Sequence, residues 1–190
     1  MSWLVGAPFL VQVIEGPGDS IVQVLGGATD TAADGRRWLD RCWRATAARP
    51  ADVVLATITG DPARQDVNDM ARALASAARV VRPDGVIVLL SETAPELSEG
   101  FRMIEQADDP AAALTQLREA SPSDWPAVYQ WLNAVSKARV FLLSGLPPET
   151  AEALFTTPLE HAGQVQRLLD AGGSCLVLPD AHKLRAVTAD

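Results

Sequence analysis

Three features of the sequence predict an α/β fold in which a parallel sheet of about four strands is flanked by helices and preceded by an N-terminal β-hairpin. Beyond residue 50, short and nearly continuous apolar runs alternate with segments of helical periodicity. The runs have strand length and are apolar at successive positions, as in strands covered on both faces. Before residue 50 the pattern differs, with two β-branched runs on either side of Gly16, Pro17, Gly18 and Asp19.

Those two runs, residues 9–14 and 21–25, form the expected hairpin, because the glycines and proline between them supply turn chemistry. Thr31 with Asp34 three residues later resembles a capping pair. Trp38, Leu39, Cys42, Trp43 and Ala45 recur at helical spacing, so a helix is expected over 31–46, ended by Arg49 and Pro50. The run 52–58 reads as a buried strand. A helix follows from Pro62, with Val67, Met70, Ala71, Leu74, Ala78 and Val81 inward, and Pro83, Asp84 and Gly85 turn the chain into a strand over 86–90. Residues 95–123 are polar and rich in alanine; helices are expected near 97–106 and 109–120, the second started by Asp109 and Pro110. Ser123 reads as the start of a helix reaching Lys137, and a strand over 140–143 follows it. Pro147 and Pro148 open a short helix. The last helix, 159–171, has Leu159, Ala162, Val165, Leu168 and Leu169 inward and stops at Gly172 and Gly173 before a strand over 175–178. The arrangement is Rossmann-like and reads as one domain over 1–190, with the hairpin and first helix in 1–50 and the α/β core in 51–190.

Composition narrows the function. With 190 residues, 48% of them hydrophobic, the chain can build a sizeable core. A net charge of −8 with sixteen scattered basic residues argues against nucleic acid as a partner. The longest apolar run, 3–14, is about half of a membrane span, has no basic residue before it and is followed by Glu15, so neither a span nor a signal peptide is expected. Cys42 and Cys175 are far apart and suit a reducing cytoplasm rather than a disulfide framework. His161 and His182 have no third ligand at metal spacing and read as surface histidines, Cys42 as core, and Trp38 and Trp43 as core or interface. No metal site and no phosphate-binding or nucleophile-elbow motif is found.

The most informative junction is where the strand ending near Ile58 passes through Gly60 into Asp61 and Pro62, which read as N-cap and first helical residue. Strand ends of this kind bind ligands in open α/β sheets. Gln65, Asp69 and Arg72, spaced i, i+4 and i+7, are expected on one face of the helix, with Asp69 orienting Arg72 toward a small carboxylate. The same spacing also describes the solvated side of an amphipathic helix.

In order along the chain, Asp52-Val53-Val54, Gly60-Asp61-Pro62, Asn68-Asp69-Met70-Ala71-Arg72 and Asp84-Gly85-Val86-Ile87-Val88 resemble the C-terminal lobe of the nickel-pincer lactate racemase family. Ser91-Glu92, Trp125, Lys137-Ala138-Arg139-Val140 and Val177-Leu178-Pro179-Asp180 extend the resemblance over essentially the whole chain. It implies a lobe facing a partner lobe, in cis or in trans, across a cleft for a small 2-hydroxy acid or other small carboxylate. The substrate-binding candidates are Gly60, Asp61, Gln65, Asp69, Arg72 and Glu92. No catalytic residue is singled out.

Departures from the family matter as much. Asp69 and Arg72 stand where the family places Gln and Lys, which removes an amine able to carry a proton. The family's glycine-rich loop after Ser-Glu is replaced by Thr93 to Gly100. The resemblance assigns the nickel-pincer nucleotide, its attachment lysine and the working histidines to an N-terminal lobe, so none of them is expected within these residues and no racemisation is expected of this chain alone. A stand-alone small-anion-binding domain, or a protein-interaction domain without catalysis, is the alternative.

Overall fold

A computed structural model describes residues 9–28, 31–171 and 173–189. Most of the apolar run 3–14, and the Gly172 of the expected helix stop, lie outside these residues. The hairpin forms as expected: β1 (Leu10–Glu15) and β2 (Ile21–Gly27) are antiparallel with Val13 opposite Val24, and Gly18 takes a positive φ in the turn. One face of the hairpin packs on α1 (Thr31–Trp43), whose Trp43 is buried and donates its indole N–H to the Glu15 carbonyl at 2.7 Å.

That hydrogen bond falls at the end of the helix, which stops three residues short of the expected 46. Residues 44–47 instead form strand β3 (Arg44–Ala47), parallel to β9 (Arg185–Thr188) near the C-terminus. Arg44 and Thr46 are exposed while Ala45 and Ala47 are half-buried, a period of two that the short segment displays only once it has a partner. Cys42, expected in the core, is exposed.

The main sheet contains β4 (Ala51–Thr57), β5 (Val81–Leu90), β6 (Arg139–Leu143), β7 (Thr157–Pro158) and β8 (Cys175–Leu178), all parallel, in the order β7-β6-β5-β4-β8. Four of the five are the expected strands; β7, two residues long, adds an edge. Helix α2 (Val67–Val80) connects β4 to β5, and α3 (Glu99–Glu105), α4 (Pro110–Ala120) and α5 (Trp125–Lys137) lead to β6. Beyond it come α6 (Pro148–Ala153) and α7 (Ala162–Ala171). Because successive side chains alternate across a strand, Val54, Ala56, Ile87, Leu89 and Leu142 join the core beneath α2 and α5, while Val53, Val86 and Val88 join Val165 of α7 on the other face. Both faces of the central strands are thereby covered, which accounts for their near-continuous apolar sequence. No described helix is long and apolar enough to cross a membrane.

Three helix starts differ from expectation. Asp61 and Pro62 begin only a single 3-10 turn, Pro62–Arg64, and α2 starts at Val67. Asp66 and Asp69 form a reciprocal cap there: the Asp66 carboxylate accepts the Asp69 N–H at 2.9 Å, and the Asp69 carboxylate accepts the Asp66 N–H at 3.0 Å. Two satisfied donors at Asp66 outweigh the single bond that Asp61 makes. At α5 the residue before the helix is Asp124, not Ser123, and its carboxylate turns outward to the Gly100 N–H at 3.1 Å and the Ser98 hydroxyl, tying α3 to α5. Helix α7 starts at Ala162, three residues late, because the Gln164 side chain folds back to accept the N–H groups of Glu160 and His161.

Candidate functional site

β4 is hydrogen-bonded to both β5 and β8, so their carboxyl ends lie side by side, on the sheet edge that binds ligands in folds of this kind. Beyond β4, Gly60 has φ +103, a conformation that L side chains rarely adopt. Asp61 then caps the 3-10 turn through the Ala63 N–H at 3.0 Å, and its own N–H donates to Asp19 of the hairpin turn at 3.2 Å. Beyond β8, buried Asp180 accepts the hydroxyl and the N–H of Thr59, the latter at 3.3 Å, and the Gly18 N–H at 3.3 Å. Lys183 donates to the carbonyls of Gly16, at 3.1 Å, and Gly18. The hairpin turn is thus fastened to the ends of two sheet strands and becomes a wall of the site.

Two adjoining depressions result. The larger, about 750 Å³, lies between the hairpin, the 3-10 turn, α2 and the loop after β8; Asp61, Asp69, Arg72 and His182 line it. The smaller, about 450 Å³, sits over the ends of β4, β5 and β6 and holds Gly60, Ser91 and Glu92. Thr59 and Gln65 line both. Gln65 follows the 3-10 turn in an extended conformation rather than standing on the helix, which is why the expected single row of Gln65, Asp69 and Arg72 does not form. Its amide donates to the Thr59 carbonyl at 3.1 Å, and its Oε1 is shut off from solvent with no partner.

Asp69 and Arg72 do pair, at i and i+3. The Asp69 side chain is mostly buried, whereas the Arg72 guanidinium is half exposed and has donors to spare. Asp66 has its carboxyl held below the usual carboxylate range: burial pushes upward, and hydrogen bonds from the Asn68 side chain and the Asp69 N–H outweigh it. Glu92 is exposed on the rim of the smaller depression.

His182, expected on the surface, is half-buried in the larger depression. Burial lowers its pKa below the ordinary value, against the opposing pull of Asp69 and Asp180, and its Nδ1 is enclosed without a hydrogen-bond partner. Its position follows from β8 lying next to β4, a neighbour relation that the sequence does not display. Because the folded pKa is depressed, the unfolded chain binds the extra proton first, and stability falls as pH drops below about 6.5 toward the folded value. Urea unfolding at pH 5.5 and 7.5 is expected to show a smaller pH dependence in His182→Gln than in the unmodified chain; equal dependence would remove His182 from the account.

The fold and the site define an α/β lobe with a polar, ligand-sized hollow at the carboxyl edge of a parallel sheet. No protein-family model and no curated protein matches the sequence. Among solved structures, the lactate racemase apoprotein from Thermoanaerobacterium thermosaccharolyticum matches over 100% of this chain with a TM-score of 0.85 and 15% identity. A crystal structure of a protein from Thermotoga maritima matches over 95% of this chain with a TM-score of 0.67 and 9% identity. This chain covers 48% and 49% of those two chains, about half the length of each. At these identities the likeness is one of fold.

Among the described residues no group of three His, Cys, Asp or Glu side chains is placed to hold a metal ion, and Cys42 and Cys175 are free and exposed.

Proposed function

We propose that the chain is the C-terminal substrate-cleft lobe of a lactate-racemase-like protein acting on 2-hydroxy acids, a lobe that helps hold substrate and has no turnover alone. The observation that carries this reading is the match of the whole chain to about half of a lactate racemase chain. The site chemistry agrees with it. Arg72 offers a half-exposed guanidinium to a carboxylate. Arg72 stays charged at any working pH, so its role is to bind and orient rather than to move a proton. An N-terminal lobe, in cis or in trans, supplies the chemistry and the nickel-pincer nucleotide.

The protein-interaction alternative draws on a separate observation, the exposed apolar residues Val11 and Val24 of the hairpin. Calorimetry with each lactate enantiomer tests the cleft reading. Weak binding is expected, with Arg72→Ala losing it. Asp69→Gln keeps a side chain able to complete the cap and removes a charge facing the ligand, so it should tighten binding by about 1 kcal/mol, roughly fivefold. Carboxylate affinity that survives Arg72→Ala would shift support to the interaction domain. Neither enantiomer should be racemised by the chain alone.

A further inference from the structure

We propose that His182 is a ligand contact of the larger depression, meeting the carboxylate or hydroxyl of the small hydroxy acid that Arg72 holds. The inference rests on the carboxylate-cleft reading and adds to it a residue and a pH dependence.

The geometry leaves few polar groups free in this hollow of about 750 Å³. Asp69 is engaged with the Asp66 N–H and with Arg72, Asp61 with the Ala63 N–H, and Lys183 with the Gly16 and Gly18 carbonyls. Asp19 meets the Asp61 N–H and lies 3.7 Å from Arg64, while Glu15 lies 3.5 Å from Lys183. Gln65 and His182 also line the hollow, and each has a polar atom without a hydrogen-bond partner, Oε1 and Nδ1, that is shut off from solvent and reaches a ligand only when the amide or the imidazole turns toward the hollow. Leaving such an atom unpaired costs about 1–3 kcal/mol, which favours that turn once a ligand offers a partner. With the outer side of Arg72 they form a three-point set: guanidinium for a carboxylate, amide oxygen for a hydroxyl donor, and an imidazole that serves either group.

The proton linkage follows from the surroundings of His182. Asp69 and Arg72 face it from α2, and Asp180 and Lys183 from its own loop, two charges of each sign; burial then decides and keeps the ring neutral at neutral pH. An arriving carboxylate adds a negative charge beside the ring and raises its pKa. Ligand affinity therefore rises as pH falls from the liganded toward the unliganded titration midpoint.

The sequence has only two histidines, so NMR of the imidazole C–H signals of the full chain reads the effect directly, with His182→Gln providing the assignment. Signals are followed from pH 5 to 8 with and without L-lactate, against sodium chloride at equal ionic strength. Lactate is expected to raise the His182 midpoint by about half a unit or more, while the signals of His161 outside the cavity stay put. Lactate affinity should be higher at pH 5.5 than at 7.5, by up to about threefold for a half-unit shift, and His182→Gln should abolish that difference. If lactate moves the Arg72 amide signal but not the His182 midpoint, or if the pH dependence persists in His182→Gln, the His182 assignment is overturned and the cleft reading stands. If lactate moves no signal at all, both fall.

Discussion

Trp131→Ala is expected to cost about 3–5 kcal/mol of folding stability. Trp131 lies on α5 with no exposed surface, meets Phe101 of α3 edge-on with ring centroids 5.4 Å apart, and donates its indole N–H to the Leu154 carbonyl at 2.8 Å. Truncation removes the contact area, opens a cavity between α3, α5 and the end of α6, and leaves the Leu154 carbonyl in an apolar setting without its donor. Trp131→Phe retains much of the volume and the aromatic contact and should cost about 1–2 kcal/mol, mostly the lost hydrogen bond and the unfilled part of the indole site. The expected loss is a large share of the roughly 5–15 kcal/mol that stabilises a domain. Because α5 packs against α2, which carries Asp69 and Arg72, the loss also reaches the site. Urea unfolding followed by circular dichroism checks it: the midpoint should fall at nearly constant slope. A loss below about 1 kcal/mol for the alanine variant would show that this part of the core relaxes around the gap.

The elements legible in the sequence are those whose stabilising pattern is local. Strands β4, β5, β6 and β8 announce themselves as apolar runs because both their faces are covered, and the hairpin by the glycines and proline between two β-branched segments. The Asp69–Arg72 pair is legible for the same reason, being three residues apart on one helix. Most of what escaped depends on partners distant in sequence. Strand β3 is a four-residue segment paired with residues about 140 positions away, and Ala45 fits a helix as well as a strand until that pairing is known. The late start of α2 had a local signal, the Asp66 and Asp69 spacing, but Asp61 followed by Pro62 imitates a helix start, and only the three-dimensional bonds show which cap prevails. His182 escaped because the strand order puts β8 beside β4, which brings the loop after β8 over Thr59 and Gly60.

The other large expected effect lies at that junction, where Asp180→Ala should cost about 3 kcal/mol and loosen the hairpin wall of the larger depression. Asp180 is buried, has φ +49, and its carboxylate gathers the Thr59 N–H, the Thr59 hydroxyl and the Gly18 N–H. Alanine removes every acceptor at once and leaves two backbone donors to find water in an enclosed place. Alanine also tolerates the left-handed conformation less well than Asp or Asn, an added cost of up to about 1 kcal/mol. Asp180→Gly loses the same acceptors without that conformational cost, and Asp180→Asn keeps one acceptor oxygen and the tolerance for positive φ. Stability should therefore fall least in the Asn variant, further in the Gly variant and most in the Ala variant. Lys183 still holds the Gly16 and Gly18 carbonyls in all three, so the hairpin should loosen at its turn rather than detach. Hydrogen exchange resolves this residue by residue: the Gly18 and Thr59 amides should lose protection in the Ala and Gly variants, while the amides at the centre of β5 lose only what the global destabilisation dictates. Unchanged protection at Gly18 and Thr59, or a cost below about 0.5 kcal/mol for the Ala variant, would mean that Lys183 and the Asp19–Asp61 contact hold the wall without Asp180.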